Sequence, residues 1–442
     1  MKLFNRESRA EKLAKKGSFF FKRAEPQDDA PVDEETVVDI EAVEEVEVVP
    51  EEIIIPPRTV TELAETVLQL SMKKGAYPPA SDGEKEFARN LRDQAAEIKD
   101  VKVRLEPYYI RPLLGRRSLI LLAGVLLLSL IFYFGYTPVA LAILLLAAPL
   151  SLLLSLGRKE AAFLLPKRIA YNLVAVSEAE QTDKTVIITS SYDNAYGSPY
   201  RSARLAKLEK PFLVAAVASL PALILFSIVK IAVGFETVPE LVTLSLLPLL
   251  IMLPSIFYLA TYTSWDKRHI VENNQKATGA ALAAFEYFAA RPEERPENTR
   301  IIFAAFSGRQ NGNSGAFAFL KQHWGRDDLL VNPAVIDIET IEGGKFVLPG
   351  YDNSGFQPSG TDATAKLKAA LEEEKIEYTA LGKELAAGAE HAFAAFSKNR
   401  IEAATLILKG DTDAPSNEIE TVEIETVEAA INTLIAAVKQ YK

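Results

Sequence analysis

The chain contains no cysteine, which excludes a disulfide, a thiolate nucleophile and any zinc site built on sulfur. It has only three histidines, His269, His323 and His391, and imidazole is the commonest zinc ligand and general base. Positive charge is also short. Lys and Arg number 49 against 59 Asp and Glu, a formal net charge of -10, so nucleic acid is not an expected partner. No Gly-x-Ser-x-Gly elbow, phosphate-binding loop or His-Glu-x-x-His motif occurs, which removes three common routes to hydrolysis or phosphate binding. No secretory leader is expected, because the first long apolar run lies far from Met1 and is long enough to span a bilayer.

What the chain has in quantity is apolar sequence without charge. Residues 118–136 and 139–156 are two such runs, separated by Thr137 and Pro138. The pattern repeats at 212–233 and 241–262, separated by a turn carrying Glu236 and Glu240. Each run is long enough to cross a hydrocarbon core as a helix, so four spans in two hairpins are expected. Orientation follows from the flanking cations. Arg116, Arg117, Arg158 and Lys159 flank the first hairpin. Arg201, Arg204, Lys207, Lys210, Lys267 and Arg268 flank the second, and only Lys230, near a helix end, dissents. Both termini and all soluble segments are therefore expected on the cytoplasmic side of an inner membrane. Polar groups inside the spans are too few for a transporter.

The soluble sequence divides around these hairpins. Residues 1–57 begin basic and aromatic, with Lys2, Arg6, Lys12 and Phe19 to Phe21, and become acidic and valine- and proline-rich. They read as a disordered tail whose first part can lie on an anionic leaflet. Residues 58–116, 157–210 and 264–442 then belong to one domain, interrupted by hairpins at 117–156 and 211–263. Capping boxes at Thr59-x-x-Glu62 and Ser81-x-x-Glu84 open two helices, the second over about 82–96. Strands are expected near 101–106, 172–176, 185–190, 300–306, 334–338 and 404–408. Helices are expected near 277–290, 314–323, 361–374 and 426–441. Alternating strands and helices predict an α/β fold, a mixed, largely parallel sheet covered by helices on both faces. The stretch 185–193, TVIITSSYD, is a buried strand running into a polar turn, and strand ends of this kind are where α/β sheets collect ligands.

The order of these elements resembles the zinc-dependent exopeptidases of the peptidase M twenty-eight family, aminopeptidase-like proteins, and especially their membrane-associated bacterial members. The resemblance runs from about residue 77 to the C-terminus. It is carried by 188–193 (ITSSYD), 274–279 (NQKATG), 306–315 (FSGRQNGNSG), 336–339 (IDIE), 389–391 (AEH) and 410–413 (GDTD). It implies metal-assisted hydrolysis, with two zinc ions about 3.5–4 Å apart sharing a carboxylate and a water.

Carried over position by position, the family's ligands are mostly missing. Ser191 stands where a histidine ligand belongs, and Asp193 matches the aspartate that orients it. Gln275 replaces the bridging aspartate. Arg309 and Gln310 replace the base-and-ligand glutamate pair. Glu339 matches an aspartate ligand, Asp411 replaces the last histidine, and His391 matches a histidine at the pocket rim that binds no metal. Arg309 would place a permanent cation about where a dication should bind. The resemblance thus implies a fold kept and a di-zinc site lost, with no cofactor unless the ligand alignment is wrong, in which case zinc. Asp193, Glu339, Asp411 and Arg309 are expected to form a buried ion-pair network. A sharper alternative is a pocket in which Arg309 holds the carboxylate of a peptide-like ligand, and a weaker one is a magnesium or calcium site.

The expected protein is a membrane-anchored, non-catalytic binding or scaffolding pseudoenzyme, its partners the lipid bilayer and an unknown protein or peptide-like ligand. Two alternatives stand beside it: an active membrane-tethered metallo-exopeptidase with an altered metal site, and a membrane assembly subunit that partners active relatives. His269 and His323 are expected on the surface.

Overall fold

A computed structural model describes residues 57–71, 79–111, 116–149, 167–193, 209–233, 239–262, 274–309, 312–351, 358–382, 391–409 and 422–441. All of them fall in the unit Glu45–Lys442, and the expected tail lies outside the described residues except for Pro57.

The elements follow in chain order. Helices α1 (Val60–Ser71) and α2 (Asp82–Ala96) precede strand β1 (Lys102–Ile110). Helix α3 (Arg116–Gly135) turns at Tyr136 into α4 (Thr137–Ala142), which continues through a π-helical turn, Ile143–Ala147. Strands β2 (Arg168–Ser177) and β3 (Lys184–Ser191) lead to α5 (Glu209–Val233) and α6 (Pro239–Tyr262). Then come α7 (Gln275–Ala290), β4 (Thr299–Phe306), α8 (Ser314–His323), β5 (Pro333–Ile341) and β6 (Lys345–Pro349). The last elements are α9 (Thr361–Glu373), β7 (Tyr378–Leu381), α10 (Phe393–Ser397), β8 (Glu402–Lys409) and α11 (Ile424–Lys439).

The strands form one sheet of eight in the order β1-β2-β4-β3-β5-β8-β6-β7. β4-β3-β5-β8 run parallel, as do β6 and β7, while β1 and β2 are antiparallel additions at one side. The expected α/β fold, a mostly parallel sheet flanked by helices, is what the chain forms. The first capping box is complete. Thr59 and Glu62 bond reciprocally, Thr59 N to Glu62 Oε2 at 2.7 Å and Glu62 N to Thr59 Oγ1 at 3.3 Å.

Side chains alternate across the central strands as period two requires. Val186, Ile188, Ile301 and Phe303 pack under α1, α2, α7, α9 and α11. Ile187, Ile302 and Ala304 pack under α8 and α10, against Phe319 and Phe393. Because both faces are covered, β4 is buried almost end to end, which is why it reads as a continuous apolar run.

Three elements have no counterpart in the sequence-based expectation. β7 has only four residues at the sheet edge and buries none of them. β6 ends in a proline, which argues against a strand. α10 is five residues long, too short to show a helical period.

The hairpins differ from expectation in length. Among the described residues one helix, Val214–Val233, is long and apolar enough to cross a membrane, with a mean hydropathy of 2.2 over 20 residues. Ala123–Gly135, Thr137–Leu146 and Leu244–Phe257 are apolar but shorter, so four full spans are not reproduced. The second expected run, 139–156, lies outside the described residues from 150 onward. The four helices nonetheless share one core, including Leu126, Tyr133, Leu144, Leu223 and Met252. Lys230 joins the two hairpins: its Nζ donates to the Tyr133 carbonyl at 2.6 Å and lies 4.9 Å from that ring's centroid.

Candidate functional site

The site forms where the parallel strands end. Beyond β3 the ladder continues for one residue, Tyr192 N donating to Phe306 O at 3.1 Å, and this delivers Asp193 fully buried at the strand tip. β4 runs into the loop Ser307 to Asn313, which must reverse tightly. Gly308 and Gly312 sit at φ of 73° and 70°, and Asn313 is left-handed at 52°, where glycine and asparagine carry little penalty. Helix α8 then starts directly on the end of β4. A Cβ on Gly315 would fall on the Ser307 carbonyl oxygen and on Asn172 Oδ1. Gly315→Ala should therefore cost about 1–3 kcal/mol of overpacking strain, seen as a lowered denaturation midpoint.

This turn carries Arg309 into the interior, where it is 4 % exposed. Its backbone N–H donates to Asp193 Oδ1 at 3.1 Å. Its guanidinium meets Glu339 Oε2 at 2.7 Å and donates to Asn274 Oδ1 at 3.5 Å. Asn274, just ahead of α7, closes the ring by donating from Nδ2 to the Asp193 carbonyl at 3.0 Å. Glu339 also faces His391 Nδ1 at 2.8 Å and accepts from Ala392 N at 3.1 Å. Since an ionised carboxylate only accepts, His391 carries its proton on Nδ1. Burial alone would raise the Glu339 carboxyl, but the positive Arg309 and the His391 hydrogen bond hold it below its ordinary value. Asn313 fixes the rim by donating to the His391 carbonyl at 2.9 Å.

Two further buried carboxyls lie beneath. Asp337, on the same strand face as Glu339, accepts from Thr189 and Thr405 hydroxyls at 2.8 and 2.9 Å. Burial, then the charge of Glu339, pushes its carboxyl up. Glu84 accepts from Ala80 N at 2.5 Å and shares a hydrogen bond with the Ser307 hydroxyl. Burial, then the charge of Asp193, pushes it up to about 8.

Of the residues singled out in the sequence, Asp193, Arg309, Glu339 and His391 are brought together. Ser191 is buried at the end of β3, its carbonyl accepting from Thr278 Oγ1 at 3.3 Å, and Gln275 is buried at the first residue of α7. Gln310 and Asp411 lie outside the described residues. Asn274, Asn313, Asp337 and Glu84 had not been singled out as site residues. Asp337 was legible in the two-residue spacing to Glu339. Glu84 was hidden by its capping role, which is only half used: Ser81 Oγ accepts from Glu84 N at 3.2 Å while the Glu84 carboxyl turns inward.

His323 is not a surface residue. It is 2 % exposed, held by Glu106 at 2.8 Å on Nε2 and Asp327 at 2.5 Å on Nδ1, with Arg104 nearby at 3.4 Å. Burial pulls its imidazole down, but the two carboxylates more than offset this and the net direction is up. The cause of the misreading is that a histidine ending a helix can be buried by a neighbouring strand, here β1.

These donors do not suit zinc. Both Glu339 oxygens already accept hydrogen bonds, and a guanidinium, protonated under all ordinary conditions, lies against one of them. Among the described residues no group of three His, Asp or Glu side chains is placed to hold a metal ion.

No protein-family model matches the chain, and no curated protein does. Solved structures do. The chain is similar to an aminopeptidase from Aneurinibacillus sp. strain AM-1, at 11% identity and a TM-score of 0.46, covering 87% of this chain and 94% of that one. It is similar to BSAP, a zinc aminopeptidase from Bacillus subtilis, at 11% identity and 0.46, covering 87% and 95%. It is also similar to a glutaminyl cyclase from Fimbriiglobus ruber, at 10% identity and 0.44, covering 89% and 97%.

Proposed function

We propose that this protein is a membrane-held, exopeptidase-like domain that works by binding and not by hydrolysis, with Arg309 as the resident cation of its central site. The observation that carries the reading is the Arg309–Glu339 pair, 2.7 Å apart and almost wholly buried, inside a ring closed by Asp193, Asn274 and His391. A hydrolytic centre needs an activated water and a free base. Here the one retained ligand-type carboxylate, Glu339, is spent on three hydrogen-bond donors, one of them a permanent cation.

Anchoring is supported by the helices α3–α6. Their outward faces are apolar along their length: Leu128, Ile131 and Phe134 on α3, Leu225 on α5, and Leu250 and Phe257 on α6 are all exposed. Such a surface, enclosing its own core, suits lipid. Pro221, Pro248 and Pro254 lie inside α5 and α6, and interior prolines are tolerated in membrane helices. The Lys230–Tyr133 contact brings the last turn of α5 to the last turn of α3, so the C-terminal ends of α3 and α5 lie at one end of the bundle, as a common cytoplasmic origin requires. It also gives the one dissenting cation a partner there. The site is on the cytoplasmic side in this reading.

The test is elemental mass spectrometry of the detergent-purified protein with an aminoacyl-nitroanilide assay. The expected result is no stoichiometric zinc and no turnover. One or two zinc ions per chain with chelator-sensitive hydrolysis would replace this reading with that of a working exopeptidase.

A further inference from the structure

All four passages between the sheet domain and the apolar helices leave from one edge of the sheet. The end of β1 pairs with the start of β2, Ile110 opposite Arg168. β2 is antiparallel to β4, and β4 ends beside β3, Phe306 opposite Ser191. The links β1 to α3, α4 to β2 and β3 to α5 therefore share this edge. The link α6 to α7 joins them, since Asn274 bonds to Asp193 there. The shortest tether, from Ile110 to Arg116, spans six residue steps and reaches at most about 20 Å when extended. This is also the edge that carries the candidate site.

Where β1 ends and β2 begins, the hairpin edge is cationic and aromatic. On the hairpin edge, Lys167 and Arg168 are exposed, and Tyr109 is 70% exposed with the Lys167 ammonium 5.9 Å from its ring centroid. An exposed aromatic beside two cations is the composition of a headgroup-level contact. At the opposite edge, the loop before β3 carries Glu178, Glu180 and Asp183.

We infer that the sheet edge bearing the candidate site is docked on the headgroup surface of an anionic bilayer through Tyr109, Lys167 and Arg168. The inference rests on the anchored reading above and goes further, because hairpins on slack tethers would hold the domain near a membrane without orienting it. Docking makes the approach to Asp193 and Arg309 run along the membrane surface.

Since the chain has no cysteine, single-cysteine labelling needs no background removal. A polarity-sensitive dye is placed at Tyr109→Cys, at Glu180→Cys on the opposite edge and at Leu250→Cys on the bundle. The full chain is reconstituted in phosphatidylglycerol–phosphatidylethanolamine vesicles carrying shallow- or deep-brominated lipid. The deep quencher should act on Leu250→Cys, and the shallow quencher should act at least about threefold more on Tyr109→Cys than on Glu180→Cys. Adding Lys167→Glu and Arg168→Glu should lower the docked-to-undocked ratio by more than about tenfold, several-fold for each charge. Vesicles of phosphatidylcholine alone should bring Tyr109→Cys down to the Glu180→Cys level. Quenching at Leu250→Cys with Tyr109→Cys no more quenched than Glu180→Cys overturns the docking and leaves the anchor standing. An unquenched Leu250→Cys overturns both.

Discussion

Arg309→Met is expected to lower the unfolding free energy by about 3–5 kcal/mol, the usual cost of removing one member of a buried ion pair. The size follows from what is left behind. Glu339 would keep its bonds to His391 and Ala392 N but lose the Arg309 guanidinium, in a site that is almost wholly buried. Its carboxyl would then rise from its depressed value, since burial is the largest influence on it and acts upward. Adding Glu339→Gln should return much of the loss, because replacing both members of a buried pair is often close to neutral. Denaturant titration of the detergent-solubilised protein measures this directly. Equal midpoints for wild type and Arg309→Met would mean that the cation contributes nothing to the site.

Glu84→Gln is expected to reshape stability against pH. The folded value of about 8 lies above the ordinary 4.5, so the folded protein holds a proton that the unfolded chain has already released. Stability from this group is therefore fully present below about pH 4.5, declines as pH rises toward 8, and is flat beyond. The total is as much as about 5 kcal/mol. Gln mimics the protonated carboxyl, its oxygen accepting from Ala80 N and its amide donating to the Ser307 hydroxyl, and it does not titrate. The variant should gain most over wild type near pH 8 and above, and least near pH 5. Parallel pH profiles for the two proteins would show that Glu84 does not hold its proton at neutral pH.

Most of the sheet was legible because its central strands are buried on both faces and appear as unbroken apolar runs such as 300–306. Helices α2 and α8 were legible to the residue, the first through its Ser81 cap and the second through the loop ahead of it. Strand order was not legible. β2 and β3 are consecutive strands joined by a polar turn, yet β4 lies between them, and no local pattern announces a strand that arrives more than 100 residues later. In the site, Asp193, Arg309 and Glu339 were expected together, while the neutral residues that link them, Asn274 among them, were not. Arg309 reaches Glu339 only because Gly308 takes a positive φ, and Asn274 was passed over beside Gln275. His323 misled because its burial comes from β1, remote in sequence.

The late arrival of β4 also orders the making of the protein. As the ribosome delivers the chain from its N-terminus, β2 and β3 emerge with the central position between them vacant. That position stays vacant until residue 306 has left the exit tunnel, and by then both apolar hairpins have been synthesised. On the anchored reading proposed above, the sheet closes only after the insertion machinery has had its opportunity with α3–α6, so the domain does not finish folding first and carry its hairpins into the cytosol.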